Sequence, residues 1–422
     1  MSKLQSLRGF NDVLPAQAAL FRRVFATAAD VASRYGYGEL RLPLLEATTL
    51  FKRAVGEVTD VIEKEMYSFD DRDGVSVSLR PELTAGTVRA GIEHGLLHNQ
   101  QQRFWYAGPA FRHERPQAGR YRQFHQVGVE AYGMAGPDID AEVIAFSHRF
   151  LTALGIGGLK LEINSLGGTE ARANYRAALI GYLSRFEAEL DEDSKRRLHT
   201  NPLRVLDSKV PRTKEIVVDA PQLTAYLEDE SRAHFDGWQQ ALSDLGIAFE
   251  ISPQLVRGLD YYTRGVFEWT TTELGSQGTV LAGGRYDNLV SQLGGSPSPA
   301  VGWASGVERL VLLLEKQRAA AAADAPQVYF CTLGEAAERR ARILAEGLRN
   351  QLPTLRLVLN AGGGKLKSQL GRAEKSGASL TLVLGESELA LGQVQVKSAI
   401  PAGGDAAMAF SELASHLANR LS

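Results

Sequence analysis

The chain has 422 residues. This is longer than a chain that folds around a single hydrophobic core, so we expect two or three domains. A hydrophobic content of 44% and a charged content of 23% are typical of a globular protein, and the net charge of −2 argues against a protein that coats nucleic acid. The single cysteine, Cys331, excludes a disulfide framework and a cysteine-built zinc site. Residues 1–8 lack the apolar segment of a signal peptide, and no apolar run has membrane-spanning length, so we expect a cytoplasmic protein.

Hydrophobic periodicity predicts the first elements. Residues 17–35 form an amphipathic helical pattern, and a strand is expected over residues 39–44. Residues 76–91 then predict a strand that leads into a helix, with Pro81 at the helix start and Glu82 in its first turn. Taken alone, Glu82 would simply complement the helix dipole.

Two predicted strands joined by an arginine-rich loop form the most informative stretch. Residues 103–112 are rich in aromatic side chains, and residues 123–132 alternate with period two. Pro116, Gly119 and several arginines lie between them, a composition that ends a strand and does not suit a core.

The second of these strands has an unusual polar face. Gln126, Gly128 and Glu130 share this face, whereas small and branched apolar residues alternate with them on the other. At ~3.4 Å per residue, Gln126 and Glu130 lie ~13 Å apart across a gap floored by Gly128, which leaves room for a small polar ligand. The alternative is a solvated sheet face with scattered charges, and the neighbouring arginines favour the ligand.

The following segment, approximately residues 165–252, becomes helical and charged. It interrupts the series of strands and is therefore predicted to be a helical insertion. Composition alone indicates only a solvated helical segment.

A polar and aromatic cluster follows the insertion. Arg257, Asp260, Tyr261 and Tyr262 precede a strand predicted over residues 265–269. They form either part of a binding site or a polar loop packed by its aromatic rings. The glycine-rich run at 281–286 has neither Rossmann nor Walker spacing, which argues against those two nucleotide sites.

A strand and an amphipathic helix are predicted over residues 299–317. Arg309 lies in the first turns of this helix, where the helix N-terminus favours an anion. The alternative for Arg309 is a surface ion pair with Glu308 or another neighbour.

An alanine-rich linker at 318–326 separates this part from the C-terminal residues. Strands expected at 328–333, 355–359 and 380–384 alternate with helices at 335–350 and 365–375. This alternation predicts a small α/β domain with a mostly parallel sheet. Residues 326–422 carry 11 Lys/Arg and 8 Asp/Glu, so the domain is mildly basic.

These stretches resemble the histidyl-tRNA synthetases, a family of class II aminoacyl-tRNA synthetases. The run RHERPQAGRYRQFHQ with Glu130 resembles motif 2, LVRGLDYY resembles a family signature, and GVERL resembles motif 3. The N-terminal helix and strand resemble motif 1, which lies at the dimer interface in that family. GGGKLKSQLGRAEKSGA resembles the anticodon-binding domain. The resemblance covers nearly the whole chain in the family's order.

The resemblance implies an α/β fold. It places a class II catalytic core, an antiparallel sheet flanked by helices with the insertion at approximately 165–252, in residues 1–320. It places a C-terminal α/β anticodon-binding domain in residues 326–422. The implied activity is that of a histidine–tRNA ligase, which activates histidine with ATP and transfers it to the 3′ end of tRNA(His). ATP with Mg²⁺ is a substrate, a homodimer is expected, and no structural metal is implied.

The resemblance also implies roles for individual residues. The catalytic residues are Arg257 and Arg112. Histidine is bound by Glu82, Thr84, Gln126, Glu130, Tyr261 and Tyr262. ATP is bound by Arg112, Glu114, Phe124 and Arg309. The tRNA is contacted by Arg115, Gln117, Arg120, Lys365 and Lys367.

Two alternatives remain at this point. One is the non-catalytic relative that regulates ATP phosphoribosyltransferase, which is expected to lack both the C-terminal domain and the arginine of LVRGLDYY. The other is a class II synthetase for threonine or proline. One departure from the family pattern is Leu83, where the usual residue is glycine.

Overall fold

The structure, a computed structural model, describes residues 3–56, 59, 61–206, 208, 210–257, 259, 261–275, 278–317, 325–398 and 405–421. The chain divides into two compact units, Met1–Ala322 and Ala323–Ser422. Asp260 of the predicted polar cluster and residues 318–324 of the predicted linker lie outside the described residues.

The first unit contains a large mixed sheet and a smaller sheet. The strands of the unit are β1 (Gly38–Glu39), β2 (Leu45–Ala47), β3 (Tyr67–Asp70), β4 (Ser76–Leu79), β5 (Gln102–Phe111), β6 (Gln123–Tyr132), β7 (Lys160–Ser165), β8 (Glu250–Ile251), β9 (Thr263–Thr270), β10 (Thr279–Arg285) and β11 (Ala300–Gly306). Among the described residues, eight strands form the sheet in the order β1-β5-β6-β11-β10-β9-β7-β8, and β2-β4-β3 form a smaller sheet. Within the large sheet, neighbouring strands are antiparallel along the series β5-β6-β11-β10-β9-β7. The two edge pairs, β1 with β5 and β7 with β8, are parallel.

One face of the large sheet is covered by helices α1 (Pro15–Arg34), α4 (Pro137–Leu154) and α10 (Val307–Lys316) of the first unit. The unit also contains helices α2 (Thr48–Val55), α3 (Thr84–Glu93), α5 (Thr169–Leu183), α6 (Glu192–Thr200), α7 (Pro211–Val218), α8 (Asp229–Asp244) and α9 (Leu289–Gln292). Helices α4 and α10 pack on β6 and β11, and α1 packs on both helices. Val127, Val129 and Trp303 are buried beneath them, so this face holds the core.

The strand predicted at 39–44 is much shorter than expected. Only Gly38–Glu39 pairs with the sheet. The carbonyls of Leu42 and Pro43 accept hydrogen bonds from the buried side chain of Arg80 instead of from a neighbouring strand. Because those carbonyls are satisfied locally, the chain leaves the sheet.

The predicted insertion is helical but smaller than its predicted bounds. Helices α5 to α8, together with short 3₁₀ turns, extend from residue 169 to residue 244. The flanking strands β7 and β8 pair with each other at the edge of the large sheet. The ends of the predicted range therefore belong to the sheet.

The second unit has an α/β fold whose sheet is mixed. It contains β12 (Val328–Thr332), α11 (Glu335–Gln351), β13 (Leu357–Leu359), α12 (Leu366–Ser376), β14 (Leu380–Leu384), α13 (Glu386–Ala390), β15 (Gln393–Ser398), β16 (Ala406–Ala409) and α14 (Leu413–Leu421). The strand order is β13-β12-β14-β15-β16, parallel as far as β14 and antiparallel beyond it. The prediction of a mostly parallel sheet is wrong for this last part, since β15 and β16 were not predicted as strands.

Candidate active site

The uncovered face of the large sheet has a floor of small residues at its centre. Gly128 of β6 is paired with Ala304 of β11, which is paired with Ala282 of β10. Glu268 of β9 continues the same row. Paired positions on neighbouring strands face the same way, so the small residues leave space that the larger side chains around them enclose.

Two adjoining cavities lie over Ala304 and Ala282. The larger has a volume of about 760 Å³ and the smaller about 290 Å³. Four polar side chains line both cavities: Arg112, Arg120, Gln126 and Arg257. Two ligands bound side by side would therefore meet at this shared wall.

Arginines converge on the larger cavity. Arg112, Arg120, Arg257 and Arg309 all line it. Burial lowers the pKa of Arg309, and the neighbouring charges of Arg120, Arg112 and Arg257 lower it further. The guanidinium of Arg112 also lies 5.3 Å from the ring centre of Phe124, whose side chain lines the same cavity. This combination of cations and aromatic surface suits a polyanion that carries a planar ring.

The carboxylates beside this cavity are held by neighbouring side chains. Glu114 lies 2.7 Å from Arg120 and 3.8 Å from Arg112. Glu308 accepts hydrogen bonds from the backbone N–H of His125 and lies 2.9 Å from its Nδ1. Within the described ranges, no group of three His, Cys, Asp or Glu is arranged to hold a metal ion.

Glu130 lines the smaller cavity and is only 1% exposed. Its carboxylate accepts hydrogen bonds from the hydroxyls of Thr84 at 2.8 Å, Tyr106 at 2.9 Å and Tyr286. Burial raises the pKa of Glu130 from 4.5 to about 8, although these three hydroxyls oppose the change. The result is a buried carboxyl group whose oxygens a ligand N–H can approach from the cavity.

The gap predicted above Gly128 is filled by the protein itself. A Cβ at Gly128 would lie 2.6 Å from the phenol oxygen of Tyr106. The prediction of a ligand directly over Gly128 is therefore wrong. Glycine is required there because Tyr106 crosses the strand to reach Glu130. Gln126 and Glu130 still line one cavity, as predicted from their shared face.

Helix α3 begins at Thr84 rather than at the predicted Pro81. The Glu82 carboxylate accepts hydrogen bonds from the backbone N–H groups of Thr84 at 2.6 Å and Ala85 at 3.0 Å. It thus caps the first turn instead of belonging to it. Burial raises the pKa of Glu82, and its side chain lines the smaller cavity.

Leu83 replaces the family's usual glycine without backbone strain. Its φ of −110° is ordinary for any residue. The side chain is 1% exposed and packs in a small cluster with Tyr106 and Ala110. Leu83 therefore packs in one cluster with Tyr106, and Glu82 and Thr84 line the smaller cavity.

Arg257 lies on the wall between the cavities. Its Nη1 is 3.3 Å from the Glu268 carboxylate, and its guanidinium is 5.9 Å from the ring centre of Tyr262. Tyr261 and Tyr262 are buried with ring centres 4.7 Å apart, and both line the smaller cavity. The cluster was predicted to be either part of a binding site or a polar loop packed by its aromatic rings. It is both, because the packed rings of Tyr261 and Tyr262 also line the cavity.

The residues predicted to contact tRNA fall in different places. Arg115 and Gln117 are exposed and belong to the lining of neither cavity, whereas Arg120 lines both. Lys365 and Lys367 are exposed residues of the second unit.

Among the residues at the site that were not predicted are Tyr106, Tyr286 and Glu268. Tyr106 and Glu268 lie on strands whose alternation indicates a face but not what lies opposite. Tyr286 is the last residue of the glycine-rich run at 281–286, whose glycines indicate close contact between strands.

A family model described as histidyl-tRNA synthetase matches residues 9–310. This chain belongs to the histidyl-tRNA synthetase family. A second model, described as an anticodon binding domain, matches residues 327–420. The predicted class II synthetase fold is thereby confirmed. The regulatory alternative was expected to lack such a C-terminal domain, and the threonine and proline alternatives belong to other families.

Solved structures agree with this assignment. Apo histidyl-tRNA synthetase from S. aureus is 33% identical, with a TM-score of 0.81 over 98% of this chain and 100% of that one. Histidyl-tRNA synthetase from Nostoc sp. PCC 7120 is 19% identical, with a TM-score of 0.72 and full coverage of both chains. An ATP phosphoribosyltransferase regulatory subunit/histidyl-tRNA synthetase from Bacillus halodurans C is 21% identical, with a TM-score of 0.68 over 91% and 99% of the two chains. At these lower identities the likeness concerns the fold.

As a histidyl-tRNA synthetase family member, the chain has the predicted function of a histidine–tRNA ligase, an aminoacyl-tRNA synthetase. The anticodon-binding domain implies that it binds tRNA. In the part of the chain that the structure describes, none of the helices combines the length and apolarity needed to cross a membrane.

Proposed function

We propose that the adjoining cavities hold the two substrates of the first step, histidine in the smaller one and ATP with Mg²⁺ in the larger one. The observation that carries this proposal is the shared wall. Arg112 and Arg257 line both cavities, between a buried carboxylate on one side and a cluster of arginines on the other. An amino acid and a triphosphate placed there would meet with their reacting groups beside two guanidinium groups.

In the first step, a carboxylate oxygen of histidine attacks the α-phosphorus of ATP, and pyrophosphate leaves. Negative charge grows on the α-phosphate during this attack. Arg112 and Arg257 are placed to stabilise that charge, so positioning and electrostatics supply most of the acceleration. In the second step, a ribose hydroxyl of the terminal adenosine of tRNA(His) attacks the histidyl carbonyl carbon, and AMP leaves.

Recognition of histidine rests on the two nitrogens of its ring. A neutral imidazole offers one N–H donor and one acceptor nitrogen. Glu130 accepts the N–H, and the hydroxyl of Tyr262 donates to the other nitrogen. An amino acid without this pair would leave buried polar groups unpaired, which can discriminate by roughly 10⁴-fold.

The amino-acid end is held by Glu82, Thr84 and Gln126. Glu82 and Gln126 line the smaller cavity, and a carboxylate there suits the α-ammonium group. Tyr261 acts mainly by packing on Tyr262, since the two rings are in contact.

ATP occupies the larger cavity. Phe124 stacks on the adenine, Arg112 holds the α-phosphate, and Arg309 holds the phosphates beyond it. Arg120, which lines both cavities and pairs with Glu114, is better placed for a phosphate than for the tRNA backbone. Mg²⁺ arrives as part of the substrate, and Glu114, which lines this cavity, is a candidate ligand for it.

The remaining assignments concern tRNA and assembly. Residues 1–320 form the catalytic domain, and residues 326–422 bind the anticodon with Lys365 and Lys367 on the RNA-facing surface. Arg115 and Gln117, exposed on the loop between β5 and β6, contact the acceptor end. The protein works as a cytoplasmic homodimer, an inference that rests on the resemblance to motif 1 and on the single cysteine.

Isotope exchange between ATP and pyrophosphate, with each natural amino acid in turn, tests the proposed function. Exchange is expected with histidine alone. Binding of histidine without any exchange would instead support a regulatory protein, and exchange with another amino acid would refute the assignment of the smaller cavity.

A further inference from the structure

Glu130 is surrounded by hydroxyl groups rather than by cations. Its two carboxylate oxygens accept hydrogen bonds from Thr84, Tyr106 and Tyr286. Among the side chains that the structure describes, no Lys, Arg or His forms an ion pair with Glu130. Oriented hydroxyls therefore take the place of water around this carboxylate.

The two tyrosines are divided between the carboxylate oxygens. Tyr106 and Thr84 donate to Oε1, whereas Tyr286 donates to Oε2. A Cβ at Gly302 would lie 1.8 Å from Oε2, so this glycine makes room for the carboxylate on the neighbouring strand. Oε2 thus has its position fixed by one hydroxyl and by one close backbone approach.

Tyr286 itself is held from three directions. Its backbone N–H donates to the carbonyl of Ala300 at 2.8 Å, and its ring lies 5.5 Å from that of Tyr261. The preceding residue, Arg285, is fully buried and donates to Asp140 and to backbone carbonyls at the start of α4. The hydroxyl is therefore presented by a rigid part of the fold.

We propose that Tyr286 is a positioning residue for histidine recognition, which acts by fixing Oε2 of Glu130 so that the carboxylate offers an acceptor in one direction. The inference rests on the proposed function, since it takes Glu130 as the partner of the imidazole N–H. Without the hydroxyl, the carboxyl group can turn, and Oε2 no longer faces the ring N–H in one fixed direction.

The test is Tyr286→Phe in the full-length protein, measured by ATP–pyrophosphate exchange. The KM for histidine is expected to rise about 10-fold, because the hydrogen bond that orients the acceptor oxygen is lost. The KM for ATP and the kcat are expected to stay within about twofold. Preference for histidine over thiazol-4-ylalanine, whose ring has sulfur in place of the N–H, is expected to fall.

Tyr132→Phe is the matched control. This residue is equally buried in the same aromatic group, and its hydroxyl lies 3.4 Å from that of Tyr286. Its removal is expected to leave histidine preference near the wild-type value. Equal changes in both variants, or an unchanged histidine KM in folded Tyr286→Phe, would overturn the proposal.

Two further measurements keep the outcome decisive. If Tyr286→Phe does not fold, Tyr106→Phe should show the same selective rise in KM, and its absence would refute the role of these hydroxyls. If the wild-type protein shows no exchange with histidine, the proposed function fails, and calorimetric binding of histidine and of thiazol-4-ylalanine then tests Tyr286 directly. A ratio of affinities that Tyr286→Phe does not lower would count against the proposal.

Discussion

Arg257 and Glu268 face each other across 3.3 Å on the wall that separates the two cavities. Glu268 also accepts a hydrogen bond from the hydroxyl of Thr279 at 3.1 Å. The carboxylate therefore holds the guanidinium in place. A substrate phosphate that enters the larger cavity would compete with Glu268 for Arg257, since both are anions.

Replacement of Arg257 by alanine should reduce turnover more than binding. If Arg257 stabilises charge that develops on the α-phosphate, kcat for adenylate formation should fall by ~10² or more, with a smaller change in the KM for histidine. Single-turnover and steady-state exchange kinetics measure this. Arg212→Ala, which removes an arginine paired with Glu189 and Glu215 on the surface, serves as the control. A higher KM at unchanged kcat would reduce Arg257 to a binding residue.

Glu130→Gln should weaken histidine binding selectively. Glutamine keeps the volume of the side chain but can present its NH₂ group where an acceptor is required. We expect the KM for histidine to rise by roughly 10- to 100-fold while ATP binding is retained. Glu142→Gln removes a carboxylate that pairs with Arg103 and is the control. Equal losses for both substrates would indicate that Glu130 supports the fold.

The raised pKa of Glu130 predicts a pH-dependent stability. The folded protein holds the proton up to about pH 8, whereas the unfolded chain loses it near the ordinary value of 4.5. The folded state therefore binds more protons between these values, and the Glu130 contribution to stability declines as the pH rises through this window. Urea unfolding of the ligand-free protein at pH 6 and pH 8.5 should show a smaller decline in Glu130→Gln than in the wild type. Identical declines would contradict the raised pKa.

Lys365 and Lys367 should affect tRNA but not the adenylate. Their replacement by alanine removes two exposed charges from the second unit, and two lost phosphate contacts would reduce the salt dependence of log K by about 1.4. Aminoacylation of tRNA(His) should become less efficient, with exchange activity unchanged. Lys375 and Lys397, also exposed in this unit, provide a control that removes the same charge. Equal effects of the two double variants would mean that only net charge matters.

The amino-acid sequence determined many of the helices and the central strands, and the polar face of β6. Period-two alternation over Gln123–Tyr132 depends only on local backbone geometry, so Gln126 and Glu130 were correctly placed on one face. The family motifs similarly indicated three of the arginines that line the larger cavity, Arg112, Arg257 and Arg309, whereas Arg120 was predicted to contact tRNA. These features could be predicted because each depends on a few consecutive residues.

Only the tertiary structure decided what surrounds Glu130. Tyr286 is 156 positions away in the chain and Tyr106 is 24 positions away, yet both hydroxyls reach its carboxylate. The strand order of the sheet brings them together, and strand order depends on long-range pairing that no local pattern specifies. The same pairing filled the space over Gly128 with the phenol of Tyr106. A glycine in a strand indicates that another group lies close to its backbone. Which group that is depends on the tertiary structure, and at Gly128 it is the phenol of Tyr106.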